Sequence, residues 1–139
     1  MKNKWLKLAM IMQFITAAAH SLSFFVKNEP KNDTEKQLYD LISNYKMDAG
    51  AGFHPSFLDL FNTVSSSLTL LCLGAGLINL FLLRSRAQAR TIKGIQGIFA
   101  IIFGISFIVN LFLSFLPPII CLGLIFLFEL VAWWKMKAE

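Results

Sequence analysis

The sequence predicts an all-α membrane protein: a single domain over residues 1–139, built as an antiparallel bundle of four transmembrane helices with a short amphipathic helix in an outer 27–56 loop. Three observations predict it. Hydrophobic residues make up 56% of the chain and charged residues 15%, against about 45–50% and 25% in ordinary soluble domains. The charges are segregated, because the stretches 5–26, 57–83, 92–115 and 117–134 hold only Lys7, Asp59, Lys93 and Glu129. Each stretch reaches the roughly 17–25 residues that cross about 30 Å of hydrocarbon. Too little chain is left outside them for a soluble catalytic domain.

The first span follows Lys2, Lys4 and Lys7. Its Leu8–Ala19 run with Ala17-Ala18-Ala19 also fits a secretory signal with a small-residue cleavage site. Apolar character resumes through Leu22–Val26, which makes a full-length span the preferred reading. Lys and Arg near the spans set orientation. The three N-terminal lysines, then Arg84, Arg86, Arg90 and Lys93, then Lys135 and Lys137 all fall on one side of four crossings. Both termini are therefore expected in the cytoplasm and the 27–56 loop outside. The net charge of +5 then reports orientation and contact with anionic headgroups, not nucleic acid.

In the outer loop, Leu38, Leu41, Ile42 and Tyr45 recur at helical spacing and predict an amphipathic helix over about 35–47. Thr34 and Gln37 are expected to form its capping box and Gly50 to end it. Such a helix would lie on the surface, as a lid over the open end of the bundle. The segment 48–52 reads as flexible, and Ser56 with Asp59 forms a second capping box at the start of the second span. Pro117-Pro118 breaks the apolar stretch 92–134, which as one helix would run about 65 Å. Trp5 and Trp133-Trp134 would form the inner aromatic belt.

Polar groups inside lipid must find partners, so their depth and face are informative. Gln13, Thr16, His20 and Ser23 form one stripe on the first span, and Asp59, Asn62, Ser66, Thr69, Cys72, Gly76 and Asn79 one on the second. On the third, Gly97, Ala100 and Gly104 form a small-residue seam, and Ser106, Asn110 and Ser114 a polar row. These faces are expected to turn inward. Counted from the span ends at about 1.5 Å per residue, Gln13, Asn79, Gln96 and Glu129 share an inner layer. His20, Asn62 and Asn110 share an outer one, with Asp59 above it. These eight are the candidate ligand-binding or interior polar residues. Glu129 is either satisfied by the amides of its layer, or by a cation from the 84–93 connection, or it carries a proton or ligand. His20 either bonds to Asn62 or Asn110 or serves binding, with His54 able to approach it.

No catalytic residue or cofactor is expected. Nucleophile–base pairs, phosphate loops and nucleotide fingerprints are missing, and no HxxxH or CxxC spacing supports a metal. Cys72 and Cys121 sit at different depths and read as small buried hydrophobes.

The run Ser56-Phe57-Leu58-Asp59-Leu60-Phe61-Asn62-Thr63-Val64-Ser65, with His20 and the basic 84–93 connection, resembles a group of small four-span bacterial membrane proteins. In that group an S-x-W-D-x-x-x-G-x-S segment opens the second helix. Here Phe57-Leu58 occupies the tryptophan region and Thr63 the glycine position. The resemblance implies a bacterial cytoplasmic membrane and no known activity.

The functional expectation is a non-enzymatic membrane protein whose polar-lined interior binds a lipid-like or amphipathic small molecule or docks on a partner. Membrane lipids, a partner membrane protein or further copies of the chain are the expected contacts. The alternatives are a proton-coupled transporter of a small solute using Glu129 and His20, and a membrane enzyme centred on His20.

Overall fold

The computed structural model describes residues 4–26, 29–85 and 87–136. Lys2, Lys27, Arg86 and Lys137, all charges near the span ends, lie outside those residues. Five helices account for the described fold, without a strand: α1 Lys4–Ser23, α2 Asp33–Asn44, α3 Phe57–Arg84, α4 Ala89–Leu113 and α5 Leu116–Lys135. Helices α3, α4 and α5 are long and apolar enough to cross a membrane. Helix α1 does not reach that measure, because Lys4, Lys7, Gln13 and His20 interrupt its 20 residues.

The helix starts follow from local chemistry. Ser56 caps α3: its Oγ accepts from the Asp59 amide at 3.2 Å, and Asp59 Oδ2 accepts from the Ser56 amide at 2.8 Å. Reciprocal bonding of this kind satisfies two donors that the first turn leaves without helical partners. Leu116-Pro117-Pro118 opens α5, where the missing proline amides cost nothing.

Helix α2 departs from the expected 35–47 span at both ends. Asn32, not Thr34, is its cap, since Asn32 Oδ1 accepts from the Glu35 amide at 2.8 Å and Glu35 Oε2 from the Lys31 amide at 2.7 Å. The pair satisfies the N-terminal donors earlier in the chain than a Thr34–Gln37 box would. At the other end Tyr45 is already extended, well before Gly50. The chain then folds back, with Met47 N donating to Pro55 O and Ala49 N to Phe53 O, both at 3.0 Å. The expected flexible segment is thus a closed turn. Gly50, Ala51 and Gly52 all take positive φ there (79°, 51° and 81°), a region glycine enters without a Cβ penalty. Nor does α2 act as a lid. None of its residues is buried, and it packs on α3 with Leu38 and Leu41 still exposed.

Helix α1 lies between α3 and α5, and α4 packs along α5. Ala17, Cys72, Ala75, Phe99, Phe103, Leu122 and Ile125 form the main core. Leu6, Leu82, Ile92 and Met136 form a second cluster at the end that carries Arg84, Arg90 and Lys135; we term this the basic end. Aromatic rings fill the spaces that glycines leave. A methyl group added as Cβ on Gly97 would stand 3.0 Å from the Trp133 ring, one on Gly104 3.0 Å from Phe126, and one on Gly123 3.0 Å from Phe107. Close approach through small residues is the usual means by which apolar helices associate where lipid competes equally for their side chains.

Gly104→Ile is expected to lower the thermal unfolding midpoint in detergent micelles, through overpacking worth about 1–3 kcal/mol. Gly74→Ala, where an added Cβ meets nothing within 4 Å, leaves the midpoint unchanged or raises it by up to about 1 kcal/mol through helix propensity. Equal midpoints for the two variants would refute the ring-on-glycine packing.

Candidate functional site

Four polar side chains, one from each long helix, meet inside the protein. Gln13 of α1, Asn79 of α3, Gln96 of α4 and Glu129 of α5 are all fully buried. Gln13 Nε2 and Asn79 Nδ2 each donate to Glu129 Oε1 at 2.7 Å. Asn79 Nδ2 also donates to Gln13 Oε1 at 2.9 Å, and Gln96 Nε2 donates to Asn79 Oδ1 at 2.8 Å. Glu129 is therefore held by amides and not by a cation: the one ion pair among the described residues is Lys46 with Asp59, at 3.0 Å on the surface. Two acceptors of the cluster, Gln96 Oε1 and Glu129 Oε2, are buried without a hydrogen-bond partner.

The outer group of candidates does not converge. Asn62 is exposed on α3, and its carbonyl accepts from Ser66 Oγ. Asn110 Nδ2 bonds back to Ser106 O of its own helix at 2.8 Å. Asp59 is exposed and occupied by its capping box and Lys46. His54 is exposed in the loop, and His20 is half-buried, edge-on to Phe24 at 5.9 Å between ring centroids. The α3 stripe that was expected to turn inward therefore divides. Cys72, Gly76 and Asn79 are buried, whereas Asp59, Asn62 and Ser66 are exposed. The cause is length: α3 has 28 residues and its neighbour α1 only 20. The uncovered hydroxyls of Thr63, Ser66 and Ser67 satisfy themselves on carbonyls one turn back.

Where α1, α3 and α5 separate, a cleft of about 200 Å³ opens. Thr16, Ala19 and His20 line it from α1, Leu68 from α3, and Phe115, Pro117, Pro118, Cys121 and Leu122 from the start of α5. Its walls are apolar apart from His20 and Thr16, and Thr16 Oγ1 is buried without a hydrogen-bond partner. The three-residue step from Thr16 to Gln13 is about 4.5 Å of helical rise, so the cleft floor sits one turn from the polar cluster. None of the four cluster residues lines it. Sequence reasoning singled out Thr16 and His20 but not the opposite wall; the signal lay in Ala19 and Pro117-Pro118, small or donor-free residues at a helix end.

No family model, curated protein or solved structure matches the chain. Among the described residues no group of three His, Cys, Asp or Glu side chains could hold a metal.

Removing the Glu129 carboxyl while keeping its amide partners leaves Gln13 Nε2 and one Asn79 hydrogen unpaired, at about 1–3 kcal/mol for a buried group. Glu129→Ala is thus expected to lower the unfolding midpoint in micelles well below that of Glu129→Gln, which retains an acceptor at the same place. Equal losses in the two variants would show that the carboxyl oxygen does not organise the cluster.

Proposed function

We propose that the chain is a non-enzymatic four-span protein of a bacterial cytoplasmic membrane that holds one lipid-like or small amphipathic molecule in the cleft between α1, α3 and α5. In this reading α1 crosses with the other three long helices. Both termini face the cytoplasm, and α2 lies outside with its exposed Leu38 and Leu41 on the outer headgroups. The packing of α1 between α3 and α5 supports its place in the membrane, as does the concentration of cations at one end.

The observation that carries the proposal is the chemistry of the cleft: apolar walls with two polar residues among them, Thr16 and His20. Apolar pockets with few polar groups suit a ligand with a hydrocarbon body and one hydrogen-bonding end. The polar interior expected from the sequence as the binding surface is a closed lock in this reading, its members bonded to one another, and the ligand sits one turn above it.

A photoreactive lysophospholipid carrying a diazirine on its acyl chain tests the proposal in liposomes. Wild-type protein is expected to be labelled on the peptides holding Ala19 and Pro117. Ala19→Trp, which fills the cleft, reduces that labelling by about tenfold, while Leu77→Trp, exposed on α3 away from the cleft lining, does not. Equal labelling of the two variants would refute a ligand in the cleft.

A second reading, proton-linked transport, draws on the column Gln13, Thr16 and His20, which runs from the cluster to the cleft on one face of α1. Glu129 is an ionisable group enclosed within that cluster, with its Oε2 buried and without a hydrogen-bond partner. Here a pH gradient across liposomes is expected to drive proton uptake that Glu129→Gln abolishes. Identical traces for that variant and the wild type would dismiss transport and leave the cluster as a lock.

A further inference from the structure

A second concavity lies on the opposite pair of helices, outside the core. Helices α4 and α5 pack along their length, with the Trp133 ring on Gly97 and the Phe126 ring on Gly104. Between these rings and the exposed Ile101, Ile105 and Ile108 runs an almost wholly apolar groove of about 490 Å³. From Gly97 to Ile108 it extends eleven residues, about 16 Å of rise. That is about half of the roughly 30 Å hydrocarbon thickness, the reach of one acyl chain in one leaflet.

Charge sets the direction of the occupant. Lys93 stands one turn before Gly97, with its Nζ 5.7 Å from the centroid of the Trp133 ring, so an ammonium marks the groove's end. Arg84 and Arg90 lie on the same connection, and Lys135 follows Trp133-Trp134. Among the described residues the only carboxylate of this region is Glu129, which is enclosed in the core and bonded to amides. The groove therefore has a hydrocarbon-length floor and a cationic head, with no acidic group beside that head among the described residues. Basic residues at the headgroup level between transmembrane helices attract anionic lipid headgroups.

We propose that this groove binds one acyl chain of an anionic phospholipid from the leaflet at the basic end, with its phosphate held by Lys93. The site is separate from the α1–α3–α5 cleft in both face and depth, so either can fail without the other. The lipid would cover Ile101, Ile105 and Ile108 and fix Trp133 against Gly97, tightening the α4–α5 pair.

The full chain with Trp5→Phe and Trp134→Phe keeps Trp133 as its sole tryptophan and reporter. It is reconstituted in phosphatidylcholine bilayers containing either phosphatidylglycerol or phosphatidylcholine with brominated acyl chains, which quench a tryptophan in contact. Brominated phosphatidylglycerol is expected to quench Trp133 at about fivefold lower mole fraction than brominated phosphatidylcholine. Lys93→Gln abolishes that difference, and Lys93→Arg, which keeps the charge and guards against a folding defect, retains it. Equal quenching by the two lipids, or a difference that survives Lys93→Gln, overturns the proposal. So does a dimer that shields Trp133 from both lipids, because it assigns the groove to a second copy of the chain.

Discussion

One carboxyl oxygen, Oε1 of Glu129, takes hydrogens from Gln13 on α1 and Asn79 on α3, and Asn79 in turn takes one from Gln96 on α4. In an apolar medium a helix gains little by exchanging lipid for another apolar helix, so register must come from interlocking shape and from polar groups that have no other partner. This cluster supplies the polar part. It joins all four long helices at one level, including α3 and α4, whose packing elsewhere is slight beside that of α1 with α3 or α4 with α5. The glycine–aromatic pairs supply the shape, chiefly between α4 and α5. A slip of one residue in any of the four helices would turn its amide or carboxyl out of the cluster and leave a buried polar group unmatched, which is costly in low dielectric.

A lock placed off-centre leaves the two ends of the molecule unequal. Toward the basic end the helices are drawn together around Leu6, Leu82, Ile92 and Met136, and Lys135 lies over the Trp5 ring at 5.4 Å. Toward the other end the main core around Phe103, Leu122 and Ile125 joins them for about two turns, and beyond it α3 runs on past α1 with its hydroxyls turned to its own backbone. The cleft forms past that core, where α1, α3 and α5 separate. Its floor residue, Thr16, belongs to the same α1 face as Gln13. The polar stripe on α1 therefore serves two purposes in succession: Gln13 fastens the helices, and Thr16 and His20 line the space that fastening leaves open.

The inner layer could be read in the sequence because it rests on two quantities that sequence preserves, distance along a helix and helical face. Counting from Lys7, Arg84, Lys93 and Lys135 places Gln13, Asn79, Gln96 and Glu129 at one depth, and the i, i+3, i+4 spacing of their neighbours places them on the small-residue faces that pack. The same arithmetic put His20, Asn62 and Asn110 at one depth, yet these residues lie apart. Equal depth brings residues together only if their helices stay adjacent at that depth, and adjacency depends on tertiary packing and on the unequal lengths of α1 and α3. The limits of α2 failed for a local reason. Asn32 and Thr34 are both competent caps, and the choice fell to Asn32 because Glu35 can bond back to Lys31 from there. The 46–56 return, closed by backbone bonds across residues 47–55, likewise depends on positive φ at Gly50, Ala51 and Gly52, which a spacing rule does not reveal.

The mismatch between a 20-residue helix and a 28-residue one also explains why the open end is polar without being a polar core. A hydroxyl or amide on an unaccompanied stretch of helix has its own preceding carbonyl within reach at no tertiary cost. Thr63, Ser66 and Ser67 on α3 and Ser106 and Asn110 on α4 all use it. Such bonds make these residues tolerable in lipid while committing them to no neighbour, so the loop-end halves of α3 and α4 carry no polar tie to each other. Thr16 makes no such bond. It is buried in the same protein, on a helix that offers the same kind of carbonyl, and its Oγ1 is nevertheless unbonded. Of these hydroxyls it is the one buried between helices, at the cleft where α1, α3 and α5 separate.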